Sequence, residues 1–168
     1  LDTKVRARVV DVGAGAETDY PADVAGKIVL VDYVLATRDQ LVATAVAKGA
    51  KAVIFLPADL VEPRRASAFS PVLAAPVTVP VVGVAQAQKH RLRALLAEGR
   101  LTLTVETRAH RGLTSHNVIA DAPRRRGADP AGPVVMVSAH YDTVIGAPGA
   151  NDDGSGTVLN LELARVLR

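Results

Sequence analysis

The residues best equipped for chemistry lie near the end of the chain. They occupy Ser138-Ala139-His140-Tyr141-Asp142-Thr143 and Gly149-Ala150-Asn151-Asp152-Asp153-Gly154-Ser155-Gly156. His140 and Asp142 close an apolar run, Val134-Val135-Met136-Val137. Side chains at i and i+2 of a strand share a face, so the two are expected to project together from a strand's carboxyl end. Asp152 follows in a glycine-rich turn that opens a helix, from which it can come back toward them. Imidazole nitrogen and carboxylate oxygen are common donors to a catalytic zinc, which takes three protein ligands and a water. A carboxylate on a loop can also bridge two metal ions about 3.5–4 Å apart. On this reading His140 and Asp152 are metal ligands. Asp142 is the supporting catalytic residue: it accepts the second N–H of the imidazole, fixing the tautomer and raising its basicity. Asp153 stands where an acidic side chain can cap the first N–H groups of a helix. Taken alone, each motif has a plainer reading. A His-x-Asp at a strand end is commonly a surface hydrogen-bonded pair, and Asn-Asp-Asp-Gly a turn. Their order on strand, loop and helix makes the combination specific.

His140-Tyr141-Asp142, then Pro148 to Gly156, then Leu161-Glu162-Leu163-Ala164-Arg165 resemble the two-zinc aminopeptidases. These co-catalytic metallopeptidases include secreted bacterial leucine-type aminopeptidases and glutamate carboxypeptidases. Asn117-Val118-Ile119-Ala120-Asp121 is similar to the family's first peptidase strand. The resemblance implies that His140 ligates one zinc ion, that Asp142 orients it and that Asp152 bridges the two metals. It also implies an exopeptidase, secreted or extracellular, in which metal-activated water attacks the peptide carbonyl beside a free terminus. The family's remaining parts are a Glu-Glu pair supplying general base and ligand, a further acidic ligand and a distal His. All lie downstream of the matching region, whereas this sequence ends at Arg168. Two ligands cannot close a two-metal site. The expectation is therefore an inactive chain, with zinc absent or weakly bound and the remainder of the peptidase domain as its missing partner.

The final helix is expected from Gly154 to Arg168, presenting Val158, Leu159, Leu163, Val166 and Leu167, with strands before it at Asn117–Asp121 and Val134–Ala139. Upstream, residues 1–113 read as alternating strands and helices. Val5 to Val12 is β-rich, and Lys27 to Tyr33 is a second strand introduced by Gly26. Thr37-Arg38-Asp39-Gln40 has capping-box spacing before a helical face of Leu41, Val42, Ala45 and Val46 that ends near Gly49. Ala52-Val53-Ile54-Phe55-Leu56 is a continuous apolar strand of the kind buried on both faces. Residues 57–80 are loop-like, with Pro57, Pro63, Pro71, Pro76 and Pro80 spread through them. Val81 to Val84 is a further strand, and Ala85 to Glu98 a helix with Leu92, Leu95 and Leu96 on one face, stopped by Gly99. Leu101 to Thr107 alternates as a half-exposed strand does.

Gly26 to Val31, Ala47 to Ile54 and Val79 to Val84 resemble the protease-associated domain, a small α/β module of secreted or vacuolar proteases and sorting receptors. Many members carry an Arg-Gly-x-Cys-type segment after the second strand, where this chain has Asp32-Tyr33-Val34-Leu35-Ala36-Thr37. The matching positions are apolar or glycine, so they specify fold more than site. The expected architecture is α/β. An α+β protease-associated domain with a small barrel-like sheet and flanking helices fills residues 1–113. A truncated α/β peptidase segment, of strands and one helix, fills residues 114–168. The polar run Arg108 to Ser115 lacks periodicity and marks the boundary.

Composition bounds the alternatives. No run of about 18 apolar residues occurs, so no membrane-spanning helix is expected. The chain opens at Leu1 without a signal-like apolar stretch and reads as mature, processed or trimmed. With no Cys, any metal must use His and carboxylates. The net charge of +3 is small, and the basic run Arg124-Arg125-Arg126, followed by Gly127 and Asp129-Pro130, reads as a solvated loop. Five aromatics (three Tyr, two Phe) are too few for the stacking platforms of nucleic-acid binders. Gly13-x-Gly15 lacks the third glycine and the helix of a dinucleotide fingerprint. His90, His110 and His116 read as surface residues, although His116 lies where it could approach the site. The rival function is a non-catalytic module for substrate gating or protein recognition.

Overall fold

The computed structural model describes residues 2–59, 68–110, 112–121, 127, 129, 131–143 and 147–167. Pro63, the Arg124-Arg125-Arg126 run and Pro130 lie outside the described residues. The chain divides into two compact units, Leu1–Arg111 and Gly112–Arg168.

The first unit is an open, curled, mixed sheet of five strands in the order β4-β3-β2-β1-β5. The strands are β1 (Thr3–Asp11), β2 (Ile28–Asp32), β3 (Ala52–Leu56), β4 (Val81–Gly83) and β5 (Thr102–Thr107). β1 to β4 pair in parallel, and β5 returns antiparallel beside β1, with Val5 opposite Val105. Parallel neighbours need a crossover. Helix α1 (Arg38–Ala47) carries the chain from β2 to β3, and α2 (Gln86–Ala97) carries it from β4 to β5. The alternation of side chains along β2 and β3 sorts the core into two layers. Val29, Val31, Val53 and Phe55 pack with Leu41, Val42 and Ala45 of α1. Ile28, Leu30, Ala52, Ile54 and Leu56 form the other layer, joined by Val105 of β5 and by Leu92 and Leu96 of α2. Both faces of β3 are covered, which is why its five residues are all apolar and all buried.

The carboxyl ends of the strands are tied to α2 by charge. Arg93 donates from Nε to Asp11 Oδ2 at 2.7 Å and from Nη2 to Asp32 Oδ1 at 3.1 Å. Lys89, only 3% exposed, donates to the carbonyl of Pro57 at 2.9 Å and lies 3.2 Å from Asp59 and 3.5 Å from Asp32. A buried ammonium without such partners would be costly. Tyr33, in the segment that replaces Arg-Gly-x-Cys, packs edge-on to Phe55 at 5.2 Å and against Phe69 at 4.7 Å. Gly15 turns the chain after β1 with φ of 77°, and an added Cβ would stand 2.8 Å from both Leu41 Cδ2 and Val31 Cγ2. Gly15→Ala is accordingly expected to cost about 2 kcal/mol, from the left-handed backbone and overpacking together, read as a lower urea midpoint.

Three local expectations are corrected. Thr37 precedes α1 but makes no side-chain cap bond. Asp39 instead accepts the N–H of Ala74 at 2.8 Å, and Arg38 donates to the carbonyls of Leu35 and Val72, stitching the 68–80 loop to the helix start. Leu95 is 39% exposed and lies off the buried face that Leu92 and Leu96 form. In the second unit neither Asn117–Asp121 nor Val134–Ala139 forms a strand. A strand is held by ladder bonds to a neighbour, and no described residues there supply one. Val118, Ile119, Val134, Val135 and Met136 remain exposed. The regular element of that unit is α3 (Ser155–Val166), entered through a kinked turn at Ala150–Gly154. Val158, Leu159 and Val166 are exposed on it, as is Leu167 just past its end. No helix among the described residues is long and apolar enough to cross a membrane.

Candidate metal centre

The turn before α3 places the acidic pair. Asp152 and Asp153, joined by a cis peptide, have non-helical backbone angles, so the chain bends sharply before the helix begins. Asp152 Oδ1 lies 3.0 Å from His140 Nε2. On the opposite edge of the ring, Nδ1 faces Asp142 twice: its main-chain oxygen at 3.1 Å and carboxylate Oδ1 at 3.3 Å. The three residues singled out by sequence therefore meet. Asp142 lies beside the ring nitrogen, with its carbonyl nearer than its carboxylate. His116 comes close only through its backbone, its carbonyl accepting from the Tyr141 hydroxyl at 3.4 Å.

The donor arithmetic constrains the ring. Two oxygens beside Nδ1 require a hydrogen there, which leaves Nε2 as the acceptor nitrogen in the neutral tautomer. Nε2 then faces a carboxylate oxygen, and two acceptors at 3.0 Å need a positive species between them. In the bare protein that species is a proton. The Asp142 carbonyl raises the His140 pKa above the ordinary imidazole value; desolvation opposes it, and the charges of Asp142, Asp152 and Asp153 add to the rise. The favourable charge pairing is complete below the unfolded-state pKa and is lost as pH rises through the raised folded value. Metal binding at Nε2 runs the other way, gaining as the proton leaves. Two-dimensional NMR titration should find the His140 ring titrating above a free imidazole, with Asp152→Asn moving it back down.

The pair fits one half of a zinc site. The donor types and their convergence are right; the number is short. Among the described residues no group of three or more His, Cys, Asp or Glu side chains is arranged so that it could hold a metal ion. The side chains of His140, Asp142 and Asp152 are 54%, 87% and 82% exposed, whereas a catalytic metal works in a dry, shaped cavity. His90 stands in the other unit, 3.6 Å from Asp59, and His110 is exposed.

One contact had no clear sequence signal. Thr157, in the first turn of α3, donates from Oγ1 to the carbonyl of His140 at 3.1 Å. A hydroxyl just inside the helix was its whole signature. Asp153 does take up the first-turn N–H of Gly156, at 3.1 Å, as expected of a cap.

Comparison with known proteins places both units. Residues 5–92 match the PA domain family model, and residues 117–168 match the model of Peptidase family M28. Aminopeptidase YwaD of Bacillus subtilis is 36% identical over 163 residues, which cover 96% of this chain and 33% of that protein. Leucine aminopeptidase 2 of Trichophyton rubrum is 33% identical over 160 residues, 89% of this chain and 29% of its own length. The solved structure of BSAP, a zinc aminopeptidase from Bacillus subtilis, superposes with a TM-score of 0.72 at 30% identity, covering 97% of this chain and 38% of that one. The aminopeptidase from Aneurinibacillus sp. strain AM-1 gives a TM-score of 0.54 at 26% identity over 99% of this chain and 40% of that chain. The chain thus spans about a third of the length of the curated relatives it matches.

Proposed function

We propose, from the premise that the chain belongs to the PA domain family through residues 5–92 and continues into a partial Peptidase family M28 segment homologous to zinc aminopeptidases, that it is part of a secreted zinc exopeptidase of the aminopeptidase type. In this reading residues 1–113 are the PA domain and residues 114–168 begin the peptidase domain. The observation that carries the proposal is the 3.0 Å approach of His140 Nε2 to Asp152 Oδ1, with Asp142 behind Nδ1. His140 and Asp152 would hold zinc, two ions in a complete site. When bound, the metal supplies a water activated at neutral pH for attack on the carbonyl beside a peptide's free terminus.

The chain's own residues do the preparatory work. Asp142 keeps the hydrogen on Nδ1, so that Nε2 presents its lone pair. Asp152, on the turn, keeps a carboxylate oxygen facing that nitrogen. The general base and the remaining ligands belong to the rest of a peptidase domain, which is the required partner along with the peptide substrate. The exposed apolar residues of α3 and of Val134–Val137 are the surface that such a remainder would cover. By itself the chain is expected to turn over no substrate. The exposure of the three site residues also suits a second reading, a PA module that gates substrate or binds proteins without catalysis.

A chimera separates the two. Residues 1–168 replace the matching third of the Bacillus subtilis relative, and hydrolysis of a leucyl chromogenic substrate is followed. Turnover abolished by a chelator, restored by zinc and absent from the isolated chain is the expected result. A folded chimera that does not turn over substrate would favour the non-catalytic module.

A further inference from the structure

The backbone of His140 is held from one side by the turn before α3 and from the other by the first turn of that helix. Its N–H donates to Asp153 Oδ2 at 3.3 Å, and its carbonyl accepts from Thr157 Oγ1 at 3.1 Å. The other oxygen of Asp153 accepts the N–H of Gly156 at 3.1 Å. An added Cβ at Gly156 would stand 2.3 Å from Asp153 Oδ1, so the glycine makes room for the carboxylate over the helix end. We infer that Asp153 and Thr157 are positioning residues, a two-point clamp on the His140 peptide unit that keeps the imidazole aimed at Asp152. The inference rests on the metal reading above for its purpose and on the hydrogen bonds for its existence.

Two features separate this arrangement from ordinary capping. A cap needs one acceptor on one first-turn N–H. Asp153 meets that need with Oδ1 and sends Oδ2 thirteen residues back along the chain. A helical threonine commonly returns its hydroxyl to the carbonyl three or four residues earlier. Thr157 instead donates to a carbonyl seventeen residues earlier. Residues 131–143 have no ladder, so the support that a strand neighbour would give His140 comes from the helix. With the peptide fixed at both ends, only the two side-chain torsions of His140 remain to set the distance from Nε2 to Asp152. Such support of a ligand's own orientation is what holds a site within the tolerance its chemistry needs.

The test uses the full 168-residue chain, with amide hydrogen exchange at His140 and zinc calorimetry measured side by side. The variants are Asp153→Ala, Thr157→Val, which keeps shape but loses the donor, and Thr157→Ser, which keeps the donor. The His140 amide should exchange about tenfold more slowly than those of Ala139 and Tyr141, a protection lost in Asp153→Ala. Thr157→Val should weaken zinc binding about tenfold without changing helix content by circular dichroism, and Thr157→Ser should restore it. An unprotected His140 amide, or equal zinc affinity in Thr157→Val and the parent, would overturn the clamp. If parent and His140→Ala alike bind no zinc, two ligands are too few to hold the metal in this chain, and the exchange data decide on the clamp by themselves.

Discussion

Phe55→Ala is expected to destabilise the chain by about 3–5 kcal/mol, the usual cost of emptying a large buried aromatic site. Phe55 is fully buried in β3, between parallel neighbours β2 and β4. Its ring packs in one layer with Val31, Val53, Leu41, Val42 and Ala45, and the edge-on contact with Tyr33 is lost with it. β-strand pairing fixes the backbone on both sides, so the layer cannot close over the gap by moving a single element. Domains of this size are commonly stable by about 5–15 kcal/mol, so the variant should be on the edge of unfolding at room temperature. Urea denaturation followed by far-ultraviolet circular dichroism measures it. Leu95→Ala, at a 39% exposed position on α2, is the control and should stay within about 0.5 kcal/mol. A loss below about 1 kcal/mol at Phe55 would mean that the two-layer core is not the one described.

What was legible of the fold tracks where local signal and tertiary demand agree. Ala52–Leu56 is apolar throughout, and a strand covered on both faces asks for that. Leu41, Val42 and Ala45 recur at helical spacing, and they are the buried residues of α1. The alternation of β5 puts Leu103, Val105 and Thr107 toward the inside. Thr37 makes no cap bond, and the side chains of Asp39 and Arg38 in the same turn go instead to a loop some 35 residues away, which short-range spacing cannot report. Asn117–Asp121 and Val134–Ala139 carry β-favouring residues, but propensity expresses a fit to a sheet that must be supplied from elsewhere. Lys89 was not legible as a buried residue either. Its partners sit on two separate segments, Asp32 at the end of β2 and Pro57 and Asp59 just after β3.

The site shows the same division. The meeting of His140, Asp142 and Asp152 was readable because it depends on residue type and on a short stretch of chain that passes through a turn into a helix. The parts supplied by backbone were not readable: the Asp142 carbonyl behind Nδ1 and the His140 peptide held by Asp153 and Thr157. Any residue has a carbonyl, so no letter in the sequence marks one as an acceptor.

That distinction sets the order of effects expected when zinc binding is measured by calorimetry near pH 7.5. The parent chain should bind no better than micromolar, because two protein ligands leave most of a tetrahedral shell to water. His140→Ala and Asp152→Asn each remove half of the available donor set, and each should push binding at least about 100-fold weaker, beyond detection. Asp142→Asn should cost less, about tenfold, at the low end for a group that orients a metal-bound histidine. The substitution removes the carboxylate 3.3 Å from Nδ1 but leaves the nearer acceptor, the main-chain oxygen at 3.1 Å, in place. Lowering the pH should weaken the parent as well, since the raised His140 pKa brings proton competition in at higher pH than for a free imidazole. If Asp142→Asn proved as damaging as Asp152→Asn, Asp142 would be a ligand in its own right and the backbone carbonyl would carry the tautomer alone. If all three variants bound as the parent does, the meeting of His140 and Asp152 would be a surface ion pair, and the PA unit would be the functional part of this chain.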